Sequence, residues 1–138
     1  MSETVLTGGC QCGAVRYEIS AAPLGLFACH CRECQKQSAS AFGMSLIVRR
    51  AAVALTQGDT QTWSRKADSG RTVSCVFCGA CGTRLWHAKE GFDVVSIKGG
   101  SLDTALDFSN AIHCWTARKL PGMVIPPGAK QFAGEPTW

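Results

Sequence analysis

Short alternations of apolar and polar residues, separated by glycine, make up most of this chain. Val15, Tyr17 and Ile19 alternate with Arg16 and Glu18, which is the period-two pattern of a half-buried β-strand. Segments rich in β-branched and aromatic residues predict further strands over 42–48, 60–65, 72–77, 83–87 and 92–98. Glycine-containing turn signals separate these segments, at Gly58-Asp59, Ser69-Gly70, Glu90-Gly91 and Gly99-Gly100.

The pattern changes at two places along the chain. Residues 32–38 predict one short helix, directly after a group of three cysteines. Beyond Leu120 the prolines at 121, 126, 127 and 136 predict an irregular segment. We therefore predict one all-β domain over residues 1–138, with an extended C-terminal segment packed against it.

Composition narrows the class of protein. The chain has 138 residues, of which 46% are hydrophobic and 17% charged, as expected for one globular domain. No apolar run approaches the ~18 residues that a membrane span needs. The net charge of +4 comes from scattered basic pairs and not from a concentrated basic stripe, so we expect neither a nucleic-acid nor a membrane partner.

Nine cysteines in a chain whose first residues, Met1-Ser2-Glu3-Thr4, lack the profile of a secretory signal favour thiolates and metal over disulfides. We therefore expect a cytoplasmic location. Seven of the nine fall into three tight clusters: Cys10-Gln11-Cys12, Cys29-His30-Cys31-Arg32-Glu33-Cys34 and Cys78-Gly79-Ala80-Cys81.

The numbers of thiols in these clusters predict two kinds of zinc site. A structural zinc is enclosed by four ligands, whereas a catalytic zinc keeps three protein ligands and one open position. The two pairs, Cys10 with Cys12 and Cys78 with Cys81, complete one closed site. Cys29, Cys31 and Cys34 then form an open one, from which zinc should be lost more easily because three ligands hold it.

The closed site has the form of two zinc knuckles. A glycine follows each pair, at Gly13 and Gly82, and a glycine there can take the positive φ that turns backbone N–H groups toward the sulfurs. Four thiolates from distant parts of the sequence would join the first strands to the middle of the chain. Such binding contributes roughly 10 kcal/mol or more to the folding of zinc-finger peptides.

Two cysteines remain outside this division. Cys75 forms another Cys-x-x-Cys with Cys78, but it lies in a predicted strand without a glycine behind it. We interpret Cys75, and also Cys114, as small buried hydrophobic residues.

The charge of the open site indicates its chemistry. Three thiolates on Zn²⁺ leave a net charge of −1, so a bound water should be acidified less than at a site of neutral histidines. A substrate thiol entering as the fourth ligand would instead be held as a reactive thiolate, which can add to a carbonyl carbon. The residues therefore favour thiol–aldehyde chemistry.

Several neighbours could serve such a reaction. Arg32 and Lys36 could bind the carboxylates of a peptidic thiol, and Ser38 and Ser40 could donate to a developing oxyanion. His30 lies between two ligands, so its side chain should project away from the metal. The alternative interpretation is a second structural zinc, completed by Cys114, by His113 or by a more distant histidine.

Three motifs in order resemble those of the glutathione-dependent formaldehyde-activating enzyme family, which includes centromere protein V. They are Gly8-Gly9-Cys10-Gln11-Cys12-Gly13, Cys29 to Ser38 with its three cysteines, and Phe77-Cys78-Gly79-Ala80-Cys81-Gly82-Thr83-Arg84-Leu85. The resemblance continues through Gly100-Ser101-Leu102-Asp103 and His113-Cys114-Trp115-Thr116. It departs at Ala39, where glycine is usual, and at Gly122-Met123, where proline-tryptophan is common.

The resemblance implies a β-tent of small antiparallel sheets and two zinc ions. Cys10, Cys12, Cys78 and Cys81 match the structural ligands, and Cys29, Cys31 and Cys34 match the catalytic ones. The implied activity is that of a carbon–sulfur lyase that condenses glutathione with formaldehyde to S-hydroxymethylglutathione. Trp115, next to His113 in the family-like segment, is a further candidate at the substrate pocket.

Two other functions stay open at this point. The same fold serves non-enzymatic roles in the family, so a zinc-stabilised module that binds another protein is the alternative. Chromatin association, by analogy with centromere protein V, is less favoured because the chain has no basic tail.

Overall fold

The computed structural model describes residues 5–137, which form mostly β-structure with one α-helix. In this range there are ten strands: β1 (Leu6–Gly9), β2 (Arg16–Ile19), β3 (Gly25–Cys29), β4 (Gly43–Arg49), β5 (Val53–Gln57), β6 (Thr60–Lys66), β7 (Thr72–Cys78), β8 (Arg84–Lys89), β9 (Val94–Lys98) and β10 (Ile112–Cys114). The helix α1 spans Arg32–Ser38, and three single-turn 3-10 helices lie at Arg50–Ala52, Gly99–Ser101 and Thr116–Arg118. None of the helices in residues 5–137 has the length and hydropathy needed to cross a membrane.

The strands form two sheets. The smaller has the order β1-β2-β5, and the larger has the order β10-β3-β4-β9-β8-β7-β6. All pairings are antiparallel except β10 with β3, which is parallel. The expectation of small antiparallel sheets therefore needs a correction, because one sheet has seven strands and β10 returns from the far end of the chain to extend its edge.

The main core lies between the two sheets. Val15, directly before β2, and Tyr17 and Ile19 within it are at most 1% exposed, as their alternation predicted. They belong to the same buried cluster as Leu46 and Ile97, which are register partners on β4 and β9. Successive side chains of a strand point to opposite faces, so the other face of the larger sheet stays free for α1 and the residues around it.

All six segments predicted as strands, and the predicted helix, are present with boundaries shifted by at most a few residues. Four strands were missed: β1, β3, β5 and β10. Each is five residues or shorter, and none shows a clear polar–apolar alternation. Whether these segments form strands depends on the strands with which they pair, and a short stretch of sequence does not reveal those strands.

The C-terminal segment packs against the domain as predicted. The backbone N–H of His113 donates to Lys130 O at 3.0 Å, and the backbone N–H of Phe132 donates to His113 O at 2.9 Å. Trp115, at φ 55°, donates its N–H to Gly134 O at 3.0 Å. Residues 1–4 and 138, which the predicted domain also includes, lie outside the described residues.

An ion pair between Arg16 and Asp103 connects the smaller sheet to the loop after β9. The Arg16 guanidinium donates to both carboxylate oxygens of Asp103, and Thr7 Oγ1 donates to Asp103 Oδ2 at 2.6 Å. These hydrogen bonds from Arg16 and Thr7 lower the pKa of Asp103 to about 2. The folded state therefore favours the ionised carboxylate.

This pKa shift predicts a defined pH dependence of stability. A lowered pKa stabilises the fold above the unfolded value, near pH 4, and the contribution is lost as pH falls toward about 2. Asp103→Asn should therefore unfold at lower urea than the wild type at pH 5, and the difference should shrink progressively toward pH 2. Asp59→Asn, in the exposed turn after β5, is the control. A difference that stays constant from pH 5 to pH 2 would contradict the assignment.

Candidate metal centres and the adjoining cavities

The four cysteines predicted for a closed site come together. One potential ligand atom from each of Cys10, Cys12, Cys78 and Cys81 lies within 4.8 Å of all the others. Cys10 and Cys12 have their sulfurs 3.5 Å apart, and the sulfurs of Cys12 and Cys78 are 3.8 Å apart. Such a group can hold a metal ion in a four-thiolate cage. Cys10 and Cys78 are buried in the core and the other two are exposed.

Both turns have the backbone shape that the glycines predicted. Gly13 has φ 81° and Gly82 has φ 82°, and their N–H groups donate to the carbonyls of Cys10 and Cys78 at 3.1 and 2.8 Å. The backbone N–H of Val15 points at Cys10 Sγ at 3.2 Å. Backbone donors directed at sulfur favour the thiolate form that a metal requires.

Thr83 connects the two turns and acts on one of the thiols. Its Oγ1 accepts the backbone N–H of Gln11 at 3.1 Å and lies 3.2 Å from Cys81 Sγ. Hydrogen bonds from the Thr83 hydroxyl and backbone lower the pKa of Cys81 to about 5. The cluster thus links the β1–β2 turn of the smaller sheet with the β7–β8 turn of the larger one.

The other three cysteines form a second group at the start of α1. Cys29 ends β3, Cys31 is the N-cap of α1, and Cys34 lies in its first turn. A ligand atom from each lies within 4.8 Å of the others, and Cys29 Sγ is 3.4 Å from Cys31 Sγ. Among residues 5–137, no fourth His, Cys, Asp or Glu joins this group. These three thiols can hold a metal ion with a position left open.

Cys31 is the most acidic thiol of this group. Hydrogen bonds from Cys29 and Cys34, together with the backbone N–H groups of Cys34 and Glu33, lower the pKa of Cys31 to about 2. The Cys34 N–H reaches Cys31 Sγ at 3.3 Å, as an N-cap contact. The start of α1 therefore stabilises negative charge on this sulfur.

Of the residues considered as a fourth ligand, Cys114 contacts the Cys29 thiol without lying within 4.8 Å of all three sulfurs, and His113 pairs with His30 instead. Cys114 is buried beside Cys29 as its partner in the parallel β10–β3 register, and its thiol contact raises the pKa of Cys29. His113 faces His30, with Nδ1 of His113 2.9 Å from Nε2 of His30. Both rings are at most 2% exposed, and burial lowers the pKa of each. His30 thus points away from the three sulfurs, as its position between them predicted.

The face of the larger sheet that carries this group is called the site face here, and its residues follow one another across the strands with a shift of two positions on β4 and on β9. In register order across the strands lie Cys114, Cys29 and Gly43, then Ser45 and Lys98, then Ser96, His87, Cys75 and Trp63. A Cβ on Gly43 would lie 2.7 Å from Gln37 Nε2 and 3.4 Å from Cys34 Sγ. Glycine at this position therefore allows α1 to pack closely against β4.

Two cavities open near this group, and Cys34 lines the smaller of them. The larger, of about 390 Å³, lies between the end of α1, the turn after Cys81 and the loop after β9, and its lining includes Gln37, Ser38, Ser40, Arg84 and Lys98. The smaller, of about 210 Å³, is lined by Cys34, Cys75, Trp63, Lys36, His87 and their neighbours. Gln37 and Arg84 line both. The smaller cavity therefore gives a small substrate access to Cys34, and the larger one adjoins it at Gln37 and Arg84.

The structure places the predicted substrate residues unevenly. Lys36 lines the smaller cavity, and Ser38 and Ser40 line the larger one. Arg32 hydrogen-bonds Gln35 Oε1 on its own helix. His113 and Trp115 line neither of these cavities, since His113 is buried against His30 and Trp115 Nε1 donates to Glu135 at 3.1 Å.

Three residues at the cavities were not predicted from the sequence: Gln37, Arg84 and Lys98. Gln37 lies one helical turn after Cys34, so helical spacing could have placed it beside that cysteine. Arg84 donates to His87 Nε2 at 3.0 Å and lies over the Trp63 ring at 5.7 Å. Lys98 is only 8% exposed. The pKa of Lys98 is lowered, because the effect of burial exceeds the opposing effect of the nearby Cys34 and Cys29 thiols. No local signal distinguishes a buried lysine at a strand end from an exposed one.

Comparison with known proteins finds a matching family model and a solved structure of the same fold. The family model described as glutathione-dependent formaldehyde-activating enzyme matches residues 5–118. A crystal structure of a Rhodobacter sphaeroides protein, a structural genomics target, has the same fold with a TM-score of 0.59. That chain is 16% identical, and the match covers 92% of the present chain and 99% of the other.

Proposed function

Because this chain belongs to the glutathione-dependent formaldehyde-activating enzyme family, we propose that it is a zinc-dependent carbon–sulfur lyase acting on a thiol–aldehyde adduct. The reaction would join glutathione and formaldehyde to S-(hydroxymethyl)glutathione, or reverse that addition. The observation that carries the proposal is the three-thiol group of Cys29, Cys31 and Cys34. No fourth Cys, His, Asp or Glu of the described residues lies within 4.8 Å of all three ligand atoms, and a cavity lined by Cys34 opens beside the group.

The donor set fits zinc, because cysteine thiolates are preferred ligands of this metal and the backbone of α1 stabilises the anionic form of Cys31. Cys29, Cys31 and Cys34 would hold the zinc ion, which would supply a coordination position where a substrate thiol is deprotonated. The protein has to place the aldehyde beside that sulfur and exclude competing ligands. The half-buried position of the three cysteines supports this division of tasks.

The cavities suit an anionic, peptidic thiol. Arg84 lines both cavities, Lys98 lines the larger and Lys36 and Arg65 line the smaller. Glu33, the acidic residue in the lining of the smaller cavity, is 3.7 Å from Arg65. The remaining basic groups can bind carboxylates such as those of glutathione, by charge-assisted hydrogen bonds.

We assign the second zinc, at Cys10, Cys12, Cys78 and Cys81, a structural role. Four thiolates are the number that a structural zinc takes, and these four join turns from two different sheets. Both facts support a closed site that stabilises a β-tent over residues 1–138. A reducing, cytoplasmic location would suit nine cysteines that are all free thiols.

Exchange NMR tests the proposed activity. Glutathione and formaldehyde form their adduct spontaneously, so the measured quantity is the rate at which glutathione exchanges between its free and adduct signals. Micromolar protein carrying two zinc ions should increase this rate well above that of buffer with zinc alone. An unchanged rate with two zinc ions bound would contradict the lyase and favour the protein-binding module.

A further inference from the structure

Gln37 presents a buried donor that has no partner. Among the described residues, Gln37 Nε2 is inaccessible to solvent and makes no hydrogen bond. It lies against the bare Cα of Gly43, which Cys34 Sγ also approaches. A buried amide N–H left unpaired costs about 1–3 kcal/mol. An acceptor that enters the site, at the cavities that Gln37 lines, would remove this cost.

Lys98 presents a second donor on the same face of the sheet. It is the register partner of Ser45, two residues beyond Gly43 on β4, and residues two apart on a strand share a face. Lys98 Nζ donates to Ser45 Oγ at 3.2 Å, and none of the ion pairs found in residues 5–137 includes Lys98. An amino group carries further N–H donors in either protonation state, so Nζ can donate to a ligand in the larger cavity as well.

The serines expected to donate to a developing oxyanion are engaged elsewhere. Ser38 Oγ donates to Cys34 O at 2.7 Å, which is a bond within its own helix. Ser40 Oγ donates to Phe42 O at 3.1 Å. Each hydroxyl has one proton to donate, so these contacts leave Ser38 and Ser40 without a free donor in this arrangement.

We propose that Gln37 Nε2 and Lys98 Nζ bind the aldehyde oxygen and stabilise the negative charge that develops on it. This inference rests on the proposed lyase function. The thiolate sulfur forms a bond to the carbonyl carbon, and the π pair of the carbonyl moves to its oxygen. The resulting alkoxide takes up one proton, equivalent to the one that the thiol released, and the product is a hydroxymethyl thioether. In the reverse direction the same donors hold the alkoxide before the carbon–sulfur bond breaks.

Donors of this kind act mainly on the transition state. Charge on the oxygen is larger in the transition state than in the bound aldehyde, so their removal should lower kcat and leave the KM for the thiol nearly unchanged. A residue that holds the thiol's carboxylate would show the opposite effect, a raised KM. A residue that only compensates the charge of the three thiolates would change zinc affinity when removed.

The test uses Lys98→Met and Gln37→Leu in the full chain loaded with two zinc ions. Both replacements keep similar side-chain volume and leave no unpaired charge. Each should lower kcat for glutathione and formaldehyde about 100-fold, as loss of one oxyanion donor does elsewhere. Zinc content, melting temperature and the KM for glutathione, within twofold, should stay unchanged. Lys66→Met, at the exposed end of β6, should behave as the wild type.

Gln37→Glu separates the donor role from packing. It has the same shape but presents carboxylate oxygens to the developing charge, so its kcat should fall at least as far as that of Gln37→Leu. Activity near that of the wild type in Gln37→Glu or Lys98→Met would overturn the inference, as would a loss confined to KM or to zinc binding. In these cases the wild type remains active and the lyase proposal stands. An inactive zinc-loaded wild type overturns both.

Discussion

Replacement of Cys81 by serine is expected to unfold the domain, although Cys81 lies at the surface. The cluster that contains it joins the β1–β2 turn to the β7–β8 turn, at one end of the core between the two sheets. A structural zinc contributes roughly 10 kcal/mol or more to folding in small zinc-finger peptides. The whole stability of a domain is about 5–15 kcal/mol. Loss of one of the four ligands can therefore remove as much free energy as the whole folded domain has in excess over the unfolded chain.

Urea unfolding followed by circular dichroism measures this effect, and native mass spectrometry counts the zinc ions. The Cys81→Ser chain should lose its cooperative transition and hold at most one zinc. Cys75→Ala is the matched control, because Cys75 is 1% exposed on β7 and lies outside the cluster. Its loss should be about 1–2 kcal/mol, as is usual for truncating a small buried side chain. Similar stability for both variants would exclude a structural metal at the four-thiol cluster.

Cys31→Ser should have the opposite outcome: turnover is abolished and the fold is kept. Cys31 caps α1 by accepting the N–H of Cys34, and serine is among the preferred residues at that position. The helix therefore keeps its cap. A serine hydroxyl stays protonated at neutral pH and is a poor zinc ligand, so the three-thiol site loses its most acidic member.

The expected readouts are a zinc count that falls from two to one, a melting temperature within a few degrees of the wild type, and no acceleration of glutathione exchange. Cobalt substitution adds a spectroscopic control. Glutathione should shift the visible absorption of cobalt in the wild type, because its sulfur enters the open position, and should leave Cys31→Ser unchanged. If Cys31→Ser unfolds as Cys81→Ser does, the division into one structural and one catalytic centre is wrong.

Sequence spacing determined the composition of each thiol group. Cys29, Cys31 and Cys34 lie within six residues, so the end of β3 and the N-terminal turn of α1 bring them together over a short stretch of chain. Gly13 and Gly82 likewise shape their turns locally, through positive φ. Short-range geometry of this kind can be read from a sequence because it depends on only a few dihedral angles.

Tertiary structure decided what surrounds those thiols. Cys12 and Cys78 are 66 positions apart; their grouping could be proposed from ligand number alone, and only the packing of two sheets brings the sulfurs together. The burial of Lys98 depends on its neighbours across the sheet, on β4 and β8, and a local window reads a lysine at a strand end as exposed. The buried position of the Gln37 amide is possible only because Gly43, against which it packs, has no side chain.

The physical reason is the range of the interactions. Metal-ligand spacing, caps and turns are set within about one turn of chain, and the sequence by itself determined them here. The site face of the larger sheet is set by strand register across the whole domain, including the parallel return of β10 beside β3. Register depends on partners far apart in sequence, so the cavities and the donors that line them became visible only in the folded chain.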